Sequence, residues 1–204
     1  MKDIKNIIFD LGGVIINLDI PKTIAEFNRL SDVPFEEIYT QAQQSEIFNQ
    51  FDKGLISDFE FFNKLKGELR YQGKDEALLK AWNAMLLDVP AHRLDLLVQL
   101  KPLYKTFLFS NTNETHITAF EAELYQRHGV KDFSDYFEEV FYSCRMSMRK
   151  PDAEIFQHVL TKHNLVPEQT IFIDDSIQHV KGAGQCGIRS YLLPQGMEVK
   201  ELLK

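Results

Sequence analysis

Hydrophobic residues along the chain follow two different spacings. Residues 5–9 form a short run typical of a buried strand, and the glycines Gly12 and Gly13 follow as its exit. Between Pro21 and Pro90 the apolar residues recur instead at helical spacing, and most segments open with Ser, Asp or Pro, as helix N-termini do. These segments are 21–30, 34–43, 45–51, 57–70 and 74–86. We therefore expect a contiguous block of helices directly after the first strand.

Beyond this block, predicted strands and helices alternate. After a helix at 90–102, strands are predicted at 103–109, 137–143, 169–174 and 189–193, with helices at 114–129, 152–164, 177–187 and 196–204. Strands that alternate with helices of about ten or more residues indicate a parallel sheet with crossover helices. The predicted fold is a doubly wound, mostly parallel α/β core of the Rossmann-like kind, made of residues 1–19 and 90–204. Residues 20–89 are expected to form an inserted helical cap.

Polar residues gather where the predicted strands end. Asp10 follows the first strand, residues 110–112 (Ser-Asn-Thr) follow the second, and residues 174–176 (Asp-Asp-Ser) follow the fourth. Lys150 precedes Pro151, which suits the first turn of the next predicted helix. One such residue alone is most simply a helix cap or a solvated loop residue. In open parallel sheets, however, ligands bind outside the carboxyl ends of the strands, so together these positions predict one site.

These residue types suit phosphoryl transfer. Crowded carboxylates at Asp10, Asp174 and Asp175 repel one another, and a hard cation such as Mg²⁺, which takes oxygen ligands, relieves that repulsion. Asp10 is also a candidate nucleophile that forms an aspartyl-phosphate. Ser110 and the backbone amides after it could cradle phosphate oxygens, and Lys150 could neutralise charge in the transition state. Glycine at the strand exit lets a carbonyl approach the metal and a phosphate approach the chain.

Four motifs, in order, resemble those of the haloacid dehalogenase-like hydrolase superfamily: FDLGGV, LFSNT, MRKPDAEIF and IFIDDSIQHVKGAGQCGI. The resemblance covers nearly the whole chain, including the helical block after the first motif. Within the superfamily, FDKGLISDFEFF and MSMRKPDAEIFQHVL look most like the small bacterial sugar-phosphate phosphatases, especially the α-D-glucose-1-phosphate phosphatase type. The resemblance implies a Mg²⁺-dependent phosphatase that acts on a small phosphorylated metabolite, such as a sugar phosphate, through an aspartyl-phosphate.

The resemblance also implies a role for each motif residue. Asp10 would be the catalytic nucleophile and a metal ligand, and the catalytic Lys150 would bridge Asp10 and the phosphate. The phosphate would lie beside Ser110, Asn111, Gly12 and Gly13. The metal would be bound by the Gly12 carbonyl and directly by Asp175. Asp174 would bind the metal directly or through water.

Two positions depart from the pattern of the superfamily. Most of its phosphatases carry a second Asp two residues after the nucleophile, as the general acid that protonates the leaving oxygen, and here that position is Gly12. His179 stands where Asn is common. Because general acid catalysis contributes about 10²–10⁴-fold, we expect a bias toward good leaving groups, such as anomeric sugar phosphates or acyl phosphates, or a slow enzyme. Asp19 or a residue of the cap is left open as a proton donor.

Three other functions would use some of the same residues. A haloacid dehalogenase would use Asp10 without a metal and leaves the acidic pair at 174–175 without a role. A C–P hydrolase would need a cap lysine, for which Lys53 is available. A regulatory protein that binds a phosphorylated ligand and turns it over slowly could do without the general acid. Such a protein, however, would have no need of a nucleophile. Arg145 and Arg149 are candidates for a second anionic group, and the bulky Phe48, Phe51 and Phe62 are either core of the cap or part of the substrate pocket.

The composition limits the classes of partner that the protein is expected to bind. The net charge of −7 and a pI near 5.4 argue against nucleic-acid binding. No apolar run approaches the 18 residues of a membrane span, and Asp10 interrupts the one N-terminal run that resembles a signal peptide. Cys144 and Cys186 are too few and too far apart for a disulfide framework, and the histidines lack zinc-ligand spacing. We expect a cytoplasmic protein, monomeric or weakly dimeric, whose partner is a small phosphorylated substrate.

Overall fold

Five short strands form one parallel sheet in the computed structural model, which describes residues 3–39 and 46–203. In chain order they are β1 (Asn6–Phe9), β2 (Lys105–Ser110), β3 (Glu139–Tyr142), β4 (Thr170–Asp174) and β5 (Arg189–Leu192). Their order across the sheet is β3-β2-β1-β4-β5, so the chain begins in the middle and extends the sheet to both sides. Each neighbouring pair is parallel. The prediction of a doubly wound α/β fold is confirmed.

The central strands are buried on both faces. Phe9, Leu108 and Ile173 belong to one hydrophobic cluster, whereas Ile8 and Phe172 belong to another on the opposite face. Side chains of a strand alternate between faces, so a strand covered by helices on both sides needs apolar residues at consecutive positions. This explains why the runs in β1, β2 and β4 are continuously apolar rather than alternating.

Helices account for much of the remaining chain. In chain order they are α1 (Ile20–Leu30), α2 (Glu46–Asp52), α3 (Asp58–Glu68), α4 (Asp75–Asn83), α5 (Ala91–Leu100), α6 (Glu114–His128), α7 (Ala153–Lys162), α8 (Ile177–Gln185) and α9 (Val199–Leu202). Across the described ranges, none of these helices combines the length and the apolar character needed to cross a lipid bilayer.

The helix predicted at 34–43 is wrong in its described part. Phe35–Glu37 forms a single 3₁₀ turn, and Tyr39 lies in an isolated β-bridge. The turn begins after Pro34, which offers no side-chain cap, and the Phe35 N–H donates instead to Asn28 Oδ1 at 2.8 Å. This contact joins the start of the turn to α1. Residues 40–45 lie outside the described residues.

Helices α1 to α4 share a hydrophobic core of their own, separate from the two sheet clusters. It is rich in aromatic rings: Phe51 stacks on Phe61 at 3.9 Å between centroids, and Phe27 stacks on Phe35 at 4.1 Å. The Thr23 hydroxyl donates to the Ala81 carbonyl at 2.9 Å and joins α1 to α4. This separate core agrees with an inserted cap at 20–89, and that division of the chain stays a prediction.

Replacing Phe61 by Ala should lower the free energy of unfolding of this helical core by about 3–5 kcal/mol, because it removes a buried ring that contacts neighbouring aromatic rings. Urea unfolding followed by fluorescence reports on this core directly, since Trp82 is the only tryptophan of the chain and lies in it. Phe59→Ala is the matched control: that ring is 71% exposed, and its loss should change the free energy little. Equal effects of the two substitutions would contradict the assignment.

Candidate active site

Asp10 lies directly after β1, at the edge of the sheet where the strands end. The strand order reverses beside it, because β2 and β3 extend the sheet to one side and β4 and β5 to the other. Its backbone N–H donates to the Ile173 carbonyl at 2.9 Å and so continues the ladder with β4. The residue is 7% exposed. A carboxylate thus lies at the position where doubly wound sheets bind their ligands.

Lys150 joins this carboxylate to the next strand. Its side chain is completely buried, and Nζ donates to Asp10 Oδ1 at 2.6 Å, to Asp174 Oδ2 at 2.7 Å and to the Phe109 carbonyl at 3.0 Å. The three acceptors lie on or next to β1, β4 and β2. The side-chain amide of Asn111 pairs with the backbone of Lys150 at both ends, each hydrogen bond being 2.9 Å long. The ammonium is therefore held from its backbone and from its tip.

The sequence-predicted acids come together at the same point. One carboxylate oxygen from each of Asp10, Asp174 and Asp175 lies within 4.8 Å of the other two. Asp174 also accepts from the Ser176 N–H at 2.7 Å and lies 3.0 Å from His179 Nδ1. Asp175 is exposed toward the site. Three oxygen donors at this spacing have the chemistry of a Mg²⁺ site.

The charges of these groups are strongly coupled. Burial raises the pKa of Asp10, and the charge of Asp174 raises it further against the effect of Lys150. Burial alone would raise the pKa of Asp174, but Lys150 and His179 outweigh it and lower that pKa. Burial and the Asp174 charge raise the pKa of Asp175 to about 6. Burial alone would lower the pKa of Lys150, yet the two carboxylates raise it. One ammonium does not balance three acids, so a further cation fits here.

Gly13 has to be glycine for two reasons. Its φ of 72° lies in the left-handed region, and a Cβ there would stand 2.4 Å from Asp175 Oδ2. The backbone after β1 therefore runs directly against the acidic cluster, as expected from the double glycine.

A cavity of about 140 Å³ opens beside Asp10. Core residues on its wall include Ser110, Asn111 and Arg149, and Gly12 and His179 also line it. From the helical block come the rings of Tyr39 and Trp82, the carboxylate of Asp52 and the side chain of Met85.

Several other residues that the sequence offered as candidates for the site do not line the cavity. Arg145 pairs with Glu114, Nε to Oε1 at 2.7 Å, and does not reach the cavity, whereas its neighbour Arg149 does. Lys53 Nζ lies 3.2 Å from Asp152 Oδ2. Asp19 caps α1 by accepting from the Lys22 N–H at 3.2 Å. The rings of Phe48, Phe51 and Phe62 belong to the core of the helical block.

The end of α2 is fixed to the sheet domain by polar contacts. The Ser143 hydroxyl donates to the Asp52 carbonyl at 2.6 Å and accepts from the Thr112 N–H at 2.9 Å. Gly54 packs so closely that a Cβ would lie 2.0 Å from the Cys144 carbonyl oxygen. This docking places Asp52 on the wall of the cavity. Sequence reasoning missed Asp52, Tyr39 and Trp82, because only the docking brings them to the site.

Gly54→Ala should destabilise the protein more than Gly129→Ala does. Both glycines have left-handed backbones, with φ of 65° and 69°, but a Cβ at Gly129 meets nothing within 4 Å. Gly129→Ala should cost about 1–2 kcal/mol from backbone strain alone. Gly54→Ala adds overpacking against a backbone carbonyl, worth about 1–3 kcal/mol more. Thermal unfolding of both variants measures the difference, and equal losses would contradict the docking.

Comparison with known proteins places these features in context. Residues 4–187 match the family model for haloacid dehalogenase-like hydrolases. A D-ribitol-5-phosphate phosphatase of Bacteroides thetaiotaomicron is 26% identical over 98% of this chain and 97% of its own length. A sesquiterpene phosphatase of Aspergillus oryzae is 27% identical over 98% of this chain and 96% of its own.

Solved structures agree with the sequence matches. A variant of a haloacid dehalogenase family enzyme from Bacteroides thetaiotaomicron, in complex with magnesium and inorganic phosphate, superposes with a TM-score of 0.92. It is 35% identical, and the match covers 98% of this chain and 99% of that one.

Proposed function

The chain belongs to the haloacid dehalogenase-like hydrolases, and from this membership we propose that it is a Mg²⁺-dependent phosphatase of a small phosphorylated metabolite. The observation that carries the proposal is the buried contact of Lys150 with Asp10 and Asp174, at 2.6 and 2.7 Å, beside a third acid. Phosphatases among the relatives and a magnesium and phosphate complex of a similar structure support it.

The acidic cluster supports a metal role for its members. Both oxygens of Asp174 already accept hydrogen bonds within the protein, from Lys150 on one and from Ser176 on the other. Asp175 is exposed toward the site, which favours it as the direct ligand, together with Asp10 and the Gly12 carbonyl. A bound Mg²⁺ supplies positive charge that offsets the repulsion between the nucleophile and the phosphate.

The residues around Asp10 then have distinct tasks. The free carboxylate oxygen of Asp10 attacks phosphorus, the bond to the leaving oxygen breaks, and an aspartyl-phosphate forms. Lys150 favours the ionised form of Asp10 against the effects of burial and Asp174, and it would neutralise charge on the phosphoryl oxygens. Ser110, at the end of β2, lines the same cavity and would hydrogen-bond the phosphate. The Asn111 side chain is engaged with Lys150, so its contribution to phosphate binding would come from its backbone N–H.

The substrate class we propose is a sugar or polyol phosphate. The cap wall of the cavity offers a carboxylate at Asp52 and aromatic rings at Tyr39 and Trp82, and Arg149 adds a donor. Hydroxyl-rich ligands use such acceptors and donors, and the D-ribitol-5-phosphate phosphatase among the relatives agrees with this class. A terpene phosphate is the second candidate substrate. The apolar residues Leu18, Met85 and Leu86 also line the cavity, and a sesquiterpene phosphatase is among the relatives.

Phosphate release from a panel of sugar, polyol and terpene phosphates tests the proposal. Wild-type protein should release phosphate only with Mg²⁺, and Asp10→Asn should abolish release because an amide cannot act as the nucleophile. Asp19→Asn, which changes an aspartate outside the cavity, is the control and should stay active. Folded wild-type protein that releases nothing yet is stabilised by phosphorylated ligands would favour the alternative of a ligand-binding regulatory protein. Metal-independent release of halide from a haloacid would point to a dehalogenase.

A further inference from the structure

The structure lacks a carboxylate where most phosphatases of the superfamily hold their general acid. The position is Gly12, and a Cβ placed there would lie 2.6 Å from Leu18 Cδ1. Leu18 therefore occupies the space beside Gly12 on the wall of the cavity. The proton for the leaving oxygen has to come from another group, and the helical block builds part of the cavity wall.

Asp52 is the one carboxylic acid that the described part of the helical block places on the cavity wall. Among the described residues that line the cavity, the carboxylates are Asp10, Asp175 and Asp52, and the first two belong to the acidic cluster. Asp19, which the sequence left open as a donor, caps α1 and does not line the cavity. His116 also lines it, but burial lowers its pKa to about 4 and its Nε2 lies 3.2 Å from the Trp82 carbonyl. A neutral imidazole engaged in this way is a poor acid.

The Asp52 carboxyl is buried yet sparsely hydrogen-bonded. Its residue is 8% exposed, Asn113 Nδ2 donates to Oδ1 over a long 3.5 Å, and Arg149 Nη2 lies 3.7 Å from Oδ2. A buried carboxylate usually accepts several short hydrogen bonds. Here acceptor capacity remains on a group that faces a ligand cavity, so a ligand hydroxyl or leaving oxygen can use it. Burial raises the pKa of Asp52, although Arg149 opposes this, which suits a group that carries a proton between steps.

The main chain at Asp52 is held firmly enough for this role. The Ser143 hydroxyl binds the Asp52 carbonyl at 2.6 Å, and Lys53, the next residue, lies 3.2 Å from Asp152. Asn113, which contacts the carboxyl, is itself the N-cap of α6 and accepts from the His116 N–H at 3.0 Å. Core residues thus fix a cap carboxyl at the edge of the active site.

We propose that Asp52 is the general acid and base of this phosphatase, in place of the missing acid at Gly12; this rests on the proposed function. In the first step Asp10 bonds to phosphorus, the bond from phosphorus to the leaving oxygen breaks, and that oxygen takes the proton of the Asp52 carboxylic acid. The alcohol leaves, and Asp52 becomes a carboxylate. In the second step water attacks phosphorus, gives its proton to Asp52 and releases inorganic phosphate and Asp10.

Asp52→Asn, which keeps the shape of the side chain, tests the assignment with two substrates and Mg²⁺. On ribitol 5-phosphate, whose alkoxide is a poor leaving group, kcat/KM, which reports formation of the aspartyl-phosphate and not its hydrolysis, should fall by about 10²-fold or more. On 4-nitrophenyl phosphate, whose phenolate leaves without a proton, the loss should be smaller by about 10-fold or more, since acid catalysis matters less there. Lys53→Met is the matched control, because it removes a cap-to-core contact next to Asp52 and should affect both substrates alike and weakly.

The possible results distinguish a failure of the Asp52 assignment from a failure of the proposed function. Equal losses of kcat/KM on both substrates in Asp52→Asn, or none, would show that Asp52 only positions the cap and would overturn the inference while leaving the phosphatase intact. No release by wild-type protein from either substrate would overturn the proposed function and this inference together. If Asp52→Asn does not fold, the wild-type protein decides: with a proton donor, kcat/KM changes little across aryl and alkyl phosphates of rising leaving-group basicity. A steep decline would mean that no acid acts, as expected from Gly12 alone.

Discussion

The site depends on one buried ammonium. Lys150 has no exposed surface, and a lone charge in that position would be prohibitively costly. It is compensated by two carboxylates and a carbonyl, all within 3.0 Å, from three adjacent strands. Removing either carboxylate would leave a buried charge poorly paired, an effect worth about 3–5 kcal/mol for buried pairs in general. The strand order β2-β1-β4 is what brings the three acceptors around one nitrogen.

The same ion pairs determine the charge balance of the site. The Lys150 ammonium between Asp10 and Asp174 reduces the repulsion between these two carboxylates. Asp175 adds a negative charge that the ammonium does not balance. The remaining negative potential suits a divalent cation, which in the proposed mechanism would allow a phosphate dianion to approach the Asp10 carboxylate. The helical block completes the cavity from the other side, where docking at Ser143 and Gly54 fixes the end of α2.

Much of this arrangement could be predicted from the sequence, for physical reasons. The strands were predictable because continuous apolar runs are characteristic of strands buried on both faces, and the carboxyl ends of parallel strands meet at one edge. Asp10, Lys150 and the acids at 174–175 could thus be assigned to one site. The cap side could not, because Asp52 reaches the cavity only through contacts with residues 91 positions away in the chain. The helix predicted at 34–43 was wrong in its described part, because the apolar spacing there reflects burial of Phe35 and Tyr39 in the helical core, and Tyr39 lies in a β-bridge.

The central claim is that Asp10 is the phosphoryl acceptor, held by Lys150 and opposed by a metal. A crystal structure with Mg²⁺ and beryllium fluoride, which mimics a phosphoryl group on a carboxylate, tests it most directly. We expect beryllium to be bonded to an Asp10 oxygen, Mg²⁺ to contact Asp10, the Gly12 carbonyl and Asp175, and Lys150 to remain hydrogen-bonded at the site. Beryllium fluoride bound away from Asp10, or a metal held without Asp10 and Asp175, would contradict it.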